Sequence, residues 1–373
     1  MNFRGFRDWS CSGERLTRSV TSSKLRWSVL PYAPVAANPW MLQSMLGKSA
    51  KASLPTRRSL LQWAAGLLPA AGSTGARAST YPSRQMRLIV GFPPGGASDI
   101  LARVMACRLS ERMGQPVIVE NMPGAGTGLA THAIFNFPPD GHTLLLVGSS
   151  TVASALFHER DQPTFLADLM PTASLTTSAF AIAVNSSNSR PTLAGLVADA
   201  KARPGALNMG TYGAGTQSHL AALSFCRAAG IEVTLVPYRG SAPLINDLLG
   251  QHIQVAVDAI GNVLPHIKSG ALTALAVTTA KPFARFLPGV PVTADLLPGY
   301  EMTVWTGLAV RRGTPLDIVE RLHHECTASL SEPTVRAKLA DLAWDIMPSS
   351  RDDFVAFWSD AIRRTRKIIV ENG

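Results

Sequence analysis

The sequence predicts an α/β protein of two lobes, each built on a largely parallel sheet, with a cleft between them. Three observations carry that expectation. From Met86 onward, apolar runs of strand length alternate with longer stretches of helical spacing, the pattern of parallel sheets covered by helices. The alternation falls into two series, divided by a looser stretch at 151–171. Several strands also run straight into loops rich in glycine and hydroxyl residues, at the edge where open parallel sheets bind ligands.

The elements follow in order. Residues 87–92 form a short apolar strand, and 98–113 a helix marked by Ile100, Leu101, Val104, Met105 and Leu109. Residues 117–121 read as the next strand, 129–137 as a helix, and 143–147, after the turn "PDGH", as a buried strand. The stretch 151–171 shows no clear period, and "FAIAVN" at 180–185 restores a strand. The second series runs helix 193–202, strand 207–210, helix 219–229 and strand 232–237. It continues with helix 243–249, strand 253–258, helix 263–269 and strand 271–278. One more strand and turn, "TGLAVRRGTP", occupies 306–315, and three helices follow at 316–330, 333–342 and 351–370.

At 373 residues, 46% hydrophobic and 16% charged, the chain has apolar content enough for two cores. Its formal net charge of +10 is concentrated at the start: residues 1–78 hold eleven of the 35 basic residues but, of the 25 acids, just Asp8 and Glu14. The remainder carries 24 basic and 23 acidic residues. No basic face follows from that balance, which speaks against nucleic-acid binding.

The basic start reads as an export signal. In "TRRSLLQWAAGLLPAAGSTGARA" paired arginines precede an apolar run at 60–71, and small residues end in Ala76-Arg77-Ala78. A positive segment, a short apolar segment and an A-x-A site define a cleavable signal, with cleavage at Ala78-Ser79 and a periplasmic product. Arg57-Arg58 fits a twin-arginine signal, the alternative being an ordinary basic segment. The apolar run is too short to span a bilayer. Residues 1–44 have no clear period, and Met41 or Met45 would make a more ordinary start. Residues 1–78 are therefore expected to be an over-extended start plus a cleaved signal, outside the fold.

Three strand-end loops hold the candidate site: "FPPGGASD" (92–99), "GSSTVAS" (148–154) and "GTYGAGTQSH" (210–219). Gly95 and Gly96 let backbone approach a ligand, Ser98 suits a helix cap, and Asp99 suits a first helical turn. Backbone N–H groups at such a helix start bind anions without a cationic side chain. A plain structural turn is the alternative for any one loop. Gly213, Gly215, Thr216 and Ser218 repeat the pattern before the helix at His219, so two helix starts are expected to face each other. No G-x-G-x-x-G follows the first strand and no P-loop occurs, so no nucleotide cofactor is expected. No C-x-x-C or H-E-x-x-H pair supplies a metal site, and His323-His324-Glu325 reads as a solvated helix face. Ser149 or Ser150 with His219 would serve a secreted serine hydrolase, but the G-x-S-x-G elbow is missing. Asp258 ends a strand, either orienting a ligand or capping the next helix.

The stretches "YPSRQMRLIVGFPPGGASD", "ERMGQPVIVENMPGAGT", "PDGHTLLLVGSS", "NMGTYGAGTQSHLAA", "VPYRGSAPLINDLLG" and "VPVTADLLPGYEMTVWTGLAVRRGTP" together resemble the Bug-type substrate-binding proteins, the receptors of tripartite tricarboxylate transporters. That resemblance implies a type II periplasmic binding protein: two α/β lobes, hinged by crossing strands, closing on a small organic carboxylate. It places the first lobe at 79–178 and 303–373, the second at 179–302, and hinge strands near 178–183 and 302–307. It assigns the ligand to Phe92, Gly95, Gly96, Ser98, Asp99, Ser149 and Thr151 from one lobe. From the other it assigns Gly213, Gly215, Thr216, His219 and Asp258. The implied protein is a monomer without cofactors that works with membrane transporter subunits or, alternatively, with a membrane sensor. Met122, Thr127, His142 and Gln251-His252 depart from the family pattern, and Thr127, where a further glycine is common, bears on the pocket.

Overall fold

Strand β1 (Met86–Val90) lies between β2 (Val117–Asn121) and β3 (Thr143–Gly148), parallel to both. Leu88, Ile89 and Val90 are fully buried, since a parallel sheet covered on both faces needs an unbroken apolar run. The computed structural model describes residues 81–158, 164–188, 192–347 and 349–372, and Ser79–Gly373 form one compact unit. The expected start and export signal lie outside the described residues. Helices α1 (Ala97–Met113) and α2 (Gly128–Ala133) connect the first three strands. Gly114, at φ 70°, ends α1 in the left-handed conformation that glycine adopts cheaply.

The second series forms as read, with β5 (Asn208–Thr211) parallel to both β6 (Thr234–Pro237) and β7 (Val255–Ala259). Helices α5 (Leu193–Ala202), α6 (Gln217–Ala229), α7 (Ser241–Leu249) and α8 (Ile260–Lys268) alternate with these strands and with β8 (Leu272–Val277).

The looser stretch at 151–171 is where the structure departs from the sequence reading. It holds helix α3 (Ser149–His158), the short α4 (Thr164–Ala167) and the start of a long strand. Residues Ser149 through Leu156 are all buried, so this part of α3 has no solvent-facing side and shows no amphipathic period. The strand, β4, covers Leu169–Asn185 rather than 180–185 alone. Its first half reads as polar because Thr172, Ser174, Thr176 and Ser178 alternate along it, yet all four are buried. Three of the hydroxyls are satisfied by the returning chain, where Ser174 donates to the Met347 carbonyl at 2.6 Å, Thr176 pairs with Thr306 at 2.6 Å and Ser178 donates to the Ala343 carbonyl at 2.7 Å, while Thr172 donates to the Met170 carbonyl of its own strand at 3.1 Å.

β4 joins the two halves of the sheet. Up to Ala179 it pairs antiparallel with β9 (Thr303–Arg311), and from Phe180 it pairs with β7 and β8. The strand order β2-β1-β3-β9-β4-β7-β5-β6 thus passes from one parallel half to the other through two antiparallel strands. Helices α9 (Leu316–Ser331), α10 (Pro333–Asp341) and α11 (Arg351–Asn372) return to the first half, α9 packing on α1 and β4 and α11 on α3 and β4. α11 also fixes Trp305 of β9, whose ring meets Phe354, Phe357 and Trp358 edge-on at 6.2, 5.2 and 5.8 Å. Among the described residues no helix is long and apolar enough to cross a membrane.

Candidate functional site

A cavity open at its mouth lies where four strand-end segments meet. The β1–α1 loop contributes Phe92, Gly96 and Ser98; the start of α3 contributes Ser149, Ser150 and Thr151. The β6–α7 loop contributes Arg239, Gly240 and Ser241, and α8 contributes Asn262. Tyr212, Trp305, Thr306 and Trp344 complete the part of the wall that matters here.

The β1–α1 loop is held open from behind. Gly95 has φ 90°, a conformation in which a side chain is strained. Buried Asp99 accepts from the Gly95 N–H, Arg103 Nε and Asn121 Nδ2, each at 2.9 Å. Burial alone would raise its pKa, but the hydrogen bonds from Arg103, Gly95 and Asn121 outweigh it and hold the carboxyl below the usual range. With its oxygens so engaged, Asp99 positions the loop and does not line the cavity. Gly96 begins α1 with φ −79° and no side-chain cap, and a Cβ built on it would enter open space. The Ala97 N–H of that helix start donates across the cleft to Asn262 Oδ1 at 3.1 Å.

The expected pairing of helix starts changes partner. The start of α6 is spent inside the protein: the Gln217 N–H donates to Ser150 Oγ at 3.3 Å, and Thr216 donates to the Gly213 carbonyl at 2.7 Å. Gly213 and Thr216 line an adjoining cleft, together with residues 123–127 and His158, rather than this cavity. Gly215 and His219 line neither. His219 packs 5.7 Å from the Phe157 ring, and burial, with His158 nearby, lowers its pKa. It bonds neither Ser149 nor Ser150; Ser150 Oγ instead pairs with the Tyr212 hydroxyl at 3.2 Å. The helix start that does face α1 is that of α7, entered through Gly240 at φ 107°. The loop "YRGSAP" carries the same glycine and hydroxyl signature as the three loops singled out from the sequence, so this one was open to detection. Trp344 gave no such signal.

Asp258 stands behind the cavity. Its Oδ1 accepts from Ser241 Oγ at 2.9 Å, Asn262 Nδ2 at 2.9 Å and the Ala259 N–H at 2.7 Å, so it aims the two side chains that do line the wall. Its Oδ2 is buried without a partner. Burial pushes its pKa up to about 7 against those hydrogen bonds.

Electrostatically the cavity is one-sided. Among its described lining residues there is one cation, the exposed Arg239, and no carboxylate. The starts of α1, α3 and α7 all border it, and helix starts carry partial positive charge and N–H groups without partners inside the helix. The arrangement suits an anion and offers nothing to balance a ligand ammonium. Among the described residues no group of three or more His, Cys, Asp or Glu side chains is placed to hold a metal ion.

Thr127 is a strained point in the adjoining cleft. It takes φ 95° with a buried, unpartnered Oγ1, a conformation that costs a β-branched residue on the order of 1–3 kcal/mol. Thr127→Gly is expected to raise stability by about 1 kcal/mol after the entropy cost of glycine. Urea denaturation checks this, and an unchanged or lower midpoint contradicts it.

Residues 101–373 match the model of the tripartite tricarboxylate transporter family receptor. Protein BugT of Bordetella pertussis is 34% identical over 300 residues, 79% of this chain and 91% of that protein. The R. palustris protein Rpa4515, solved with adipate, shares 31% identity with a TM-score of 0.74 over 79% of this chain and 98% of its own. The periplasmic binding protein BugD shares 26% identity with a TM-score of 0.72, over 79% of this chain and 99% of its own. These likenesses cover most of each chain. The chain therefore belongs to the tripartite tricarboxylate transporter receptor family and has the two-lobed fold of a type II periplasmic binding protein.

Proposed function

We propose that this receptor captures a small organic carboxylate in the cavity between its sheet halves and delivers it to the membrane components of a tripartite tricarboxylate transporter. The observation that carries the proposal is the meeting of the α1, α3 and α7 starts on a cavity wall without carboxylates. Gly96, Ser98, Ser149 and Thr151 would face the ligand from one side, and Gly240, Ser241 and Asn262 from the other. Asp99 and Asp258 act behind them as positioning residues. The lobes would divide at 79–178 with 303–373 against 179–302, hinging near Ala179–Phe180 where β4 changes partners. Adipate in the R. palustris relative supports the ligand class and does not fix this chain's own ligand.

A thermal-shift screen of the purified exported protein, comparing carboxylic acids with their neutral amides, tests the proposal. An acid at a hundredfold its Kd stabilises the folded state by about 2.7 kcal/mol. Stabilisation by at least one acid and not by its amide is the expected result. Equal shifts from acid and amide, or none across the panel, would sink it.

A further inference from the structure

A second cavity shares no lining residue with the first. The two meet at one stretch of chain, where Trp344 lines the first and Asp345 and Ile346 line the second. Asp345–Ile346 form the short strand β10, antiparallel to Thr176 and Thr177 of β4. The other walls come from α9, α10 and the segment that follows β8.

Two guanidiniums line this cavity, Arg285 and Arg336, against a single carboxylate, Asp345. Arg285 Nη1 donates to Asp345 Oδ1 at 2.9 Å, so those two charges offset each other. Arg336 is left over: among the described residues its guanidinium has no hydrogen-bond or ion-pair partner. Three of the hydroxyls spend their protons within the wall. Ser174 donates to the Met347 carbonyl at 2.6 Å, which leaves Ser349 to donate to Ser174 Oγ at 2.7 Å, and Ser331 donates to the Thr327 carbonyl at 3.0 Å. The Thr327 hydroxyl is exposed and not so engaged. The side-chain groups that remain for a ligand are therefore donors: the Arg336 fork, the Arg285 N–H groups turned from Asp345, and Thr327.

A guanidinium presents its N–H groups in one fixed plane, matched to oxygens of an anion two at a time. Arginines from two separate segments need oxygens pointing in different directions, which a tetrahedral oxyanion offers and a planar carboxylate does not. We propose that Arg336, Arg285 and Thr327 form a second anion site, apart from the carboxylate cavity, for a tetrahedral oxyanion such as inorganic phosphate.

Calorimetric titration of the purified exported protein with inorganic phosphate, in chloride buffer of matched ionic strength, is the test. Heat is read in place of melting temperature, because phosphate strengthens apolar burial in any protein. The parent is expected to show saturable binding at one site. Arg336→Gln removes the unpaired cation at an exposed position. It is expected to weaken phosphate at least tenfold and to leave the melting temperature of the free protein unchanged. Gly96→Val fills the first cavity at the α1 start and is expected to keep the phosphate affinity within twofold. In that variant acetate is expected to bind at least tenfold more weakly than phosphate. An absence of saturable heat in the parent, or an Arg336→Gln affinity within twofold of it, overturns the inference. Loss of phosphate binding in Gly96→Val would place the ion in the first cavity and overturns it as well. Acetate as tight as phosphate in that variant overturns the tetrahedral ligand. The reading of the first cavity does not depend on any of these results.

Discussion

Replacing Gly96 with valine is expected to weaken carboxylate binding at least tenfold while the protein stays folded. The φ of −79° at this position suits any residue, so the backbone tolerates the change. The added side chain enters open space at the start of α1, where the ligand oxygens are expected to lie. Loss of ligand volume therefore drives the effect, whereas Gly95, at φ 90°, is the glycine that its conformation requires. A tenfold loss corresponds to about 1.4 kcal/mol. Arg239→Ala is expected to cost less, because Arg239 is exposed and its charge is screened by water and salt. Calorimetry on both variants with the acid that gives the largest thermal shift checks the ranking. The reverse ranking would mean that a side-chain clamp holds the carboxylate.

Ionisation of Asp258 is expected to cost stability as pH rises from about 4 to 7, against the opposite contribution of His219, and Asp258→Asn is expected to remove that cost. Asp258 is fully buried, with Ser241, Asn262 and the Ala259 N–H on one oxygen and no partner on the other. Tyr212 interacts with it electrostatically, and burial keeps that phenol protonated throughout this range. The carboxyl titrates at about 7 when folded and near 3.9 when unfolded. Below the lower value both states hold the proton and nothing is lost. Between the two, the unfolded chain ionises first, so folding loses about 1.4 kcal/mol per pH unit. The loss is complete above the folded pKa and amounts to about 4 kcal/mol in total. Urea denaturation at pH 4.5 and 7.5 reads it directly. A variant whose stability changes between the two pH values just as the parent's does contradicts the role given to Asp258.

Strong local patterns made most of the fold legible. The run "RLIV", the second apolar series and the C-terminal helices each have the period or continuity of the element they form. What escaped was structure whose burial is all-round or polar. α3 is buried from Ser149 to Leu156 and so lacks a wet face over most of its length. The first half of β4 is a row of buried hydroxyls, three of whose partners, Met347, Thr306 and Ala343, lie more than a hundred residues away. No local pattern encodes such partners.

Several residues read as ligand-facing from the sequence line one side of the cavity. Phe92, Gly96, Ser98, Ser149 and Thr151 line the cavity as placed, because each follows a strand that ends there. On the other side the glycine-rich loop at 213–216 drew attention from the α7 start. Its helix start is spent on Ser150, a contact between sheet halves that spacing alone does not reveal. Asp99 and Asp258 were read as ligand-facing, and neither lines the cavity: their carboxylates hold the loop and the side chains that do.

The most direct test is a crystal structure of the protein with the acid that stabilises it most. The ligand carboxylate is predicted within about 2.7–3.2 Å of backbone N–H groups at the α1 and α7 starts, with Gly96 and Gly240 against it. A carboxylate paired to the Arg239 guanidinium in the adjoining cleft, beside Gly213 and Thr216, would contradict the account.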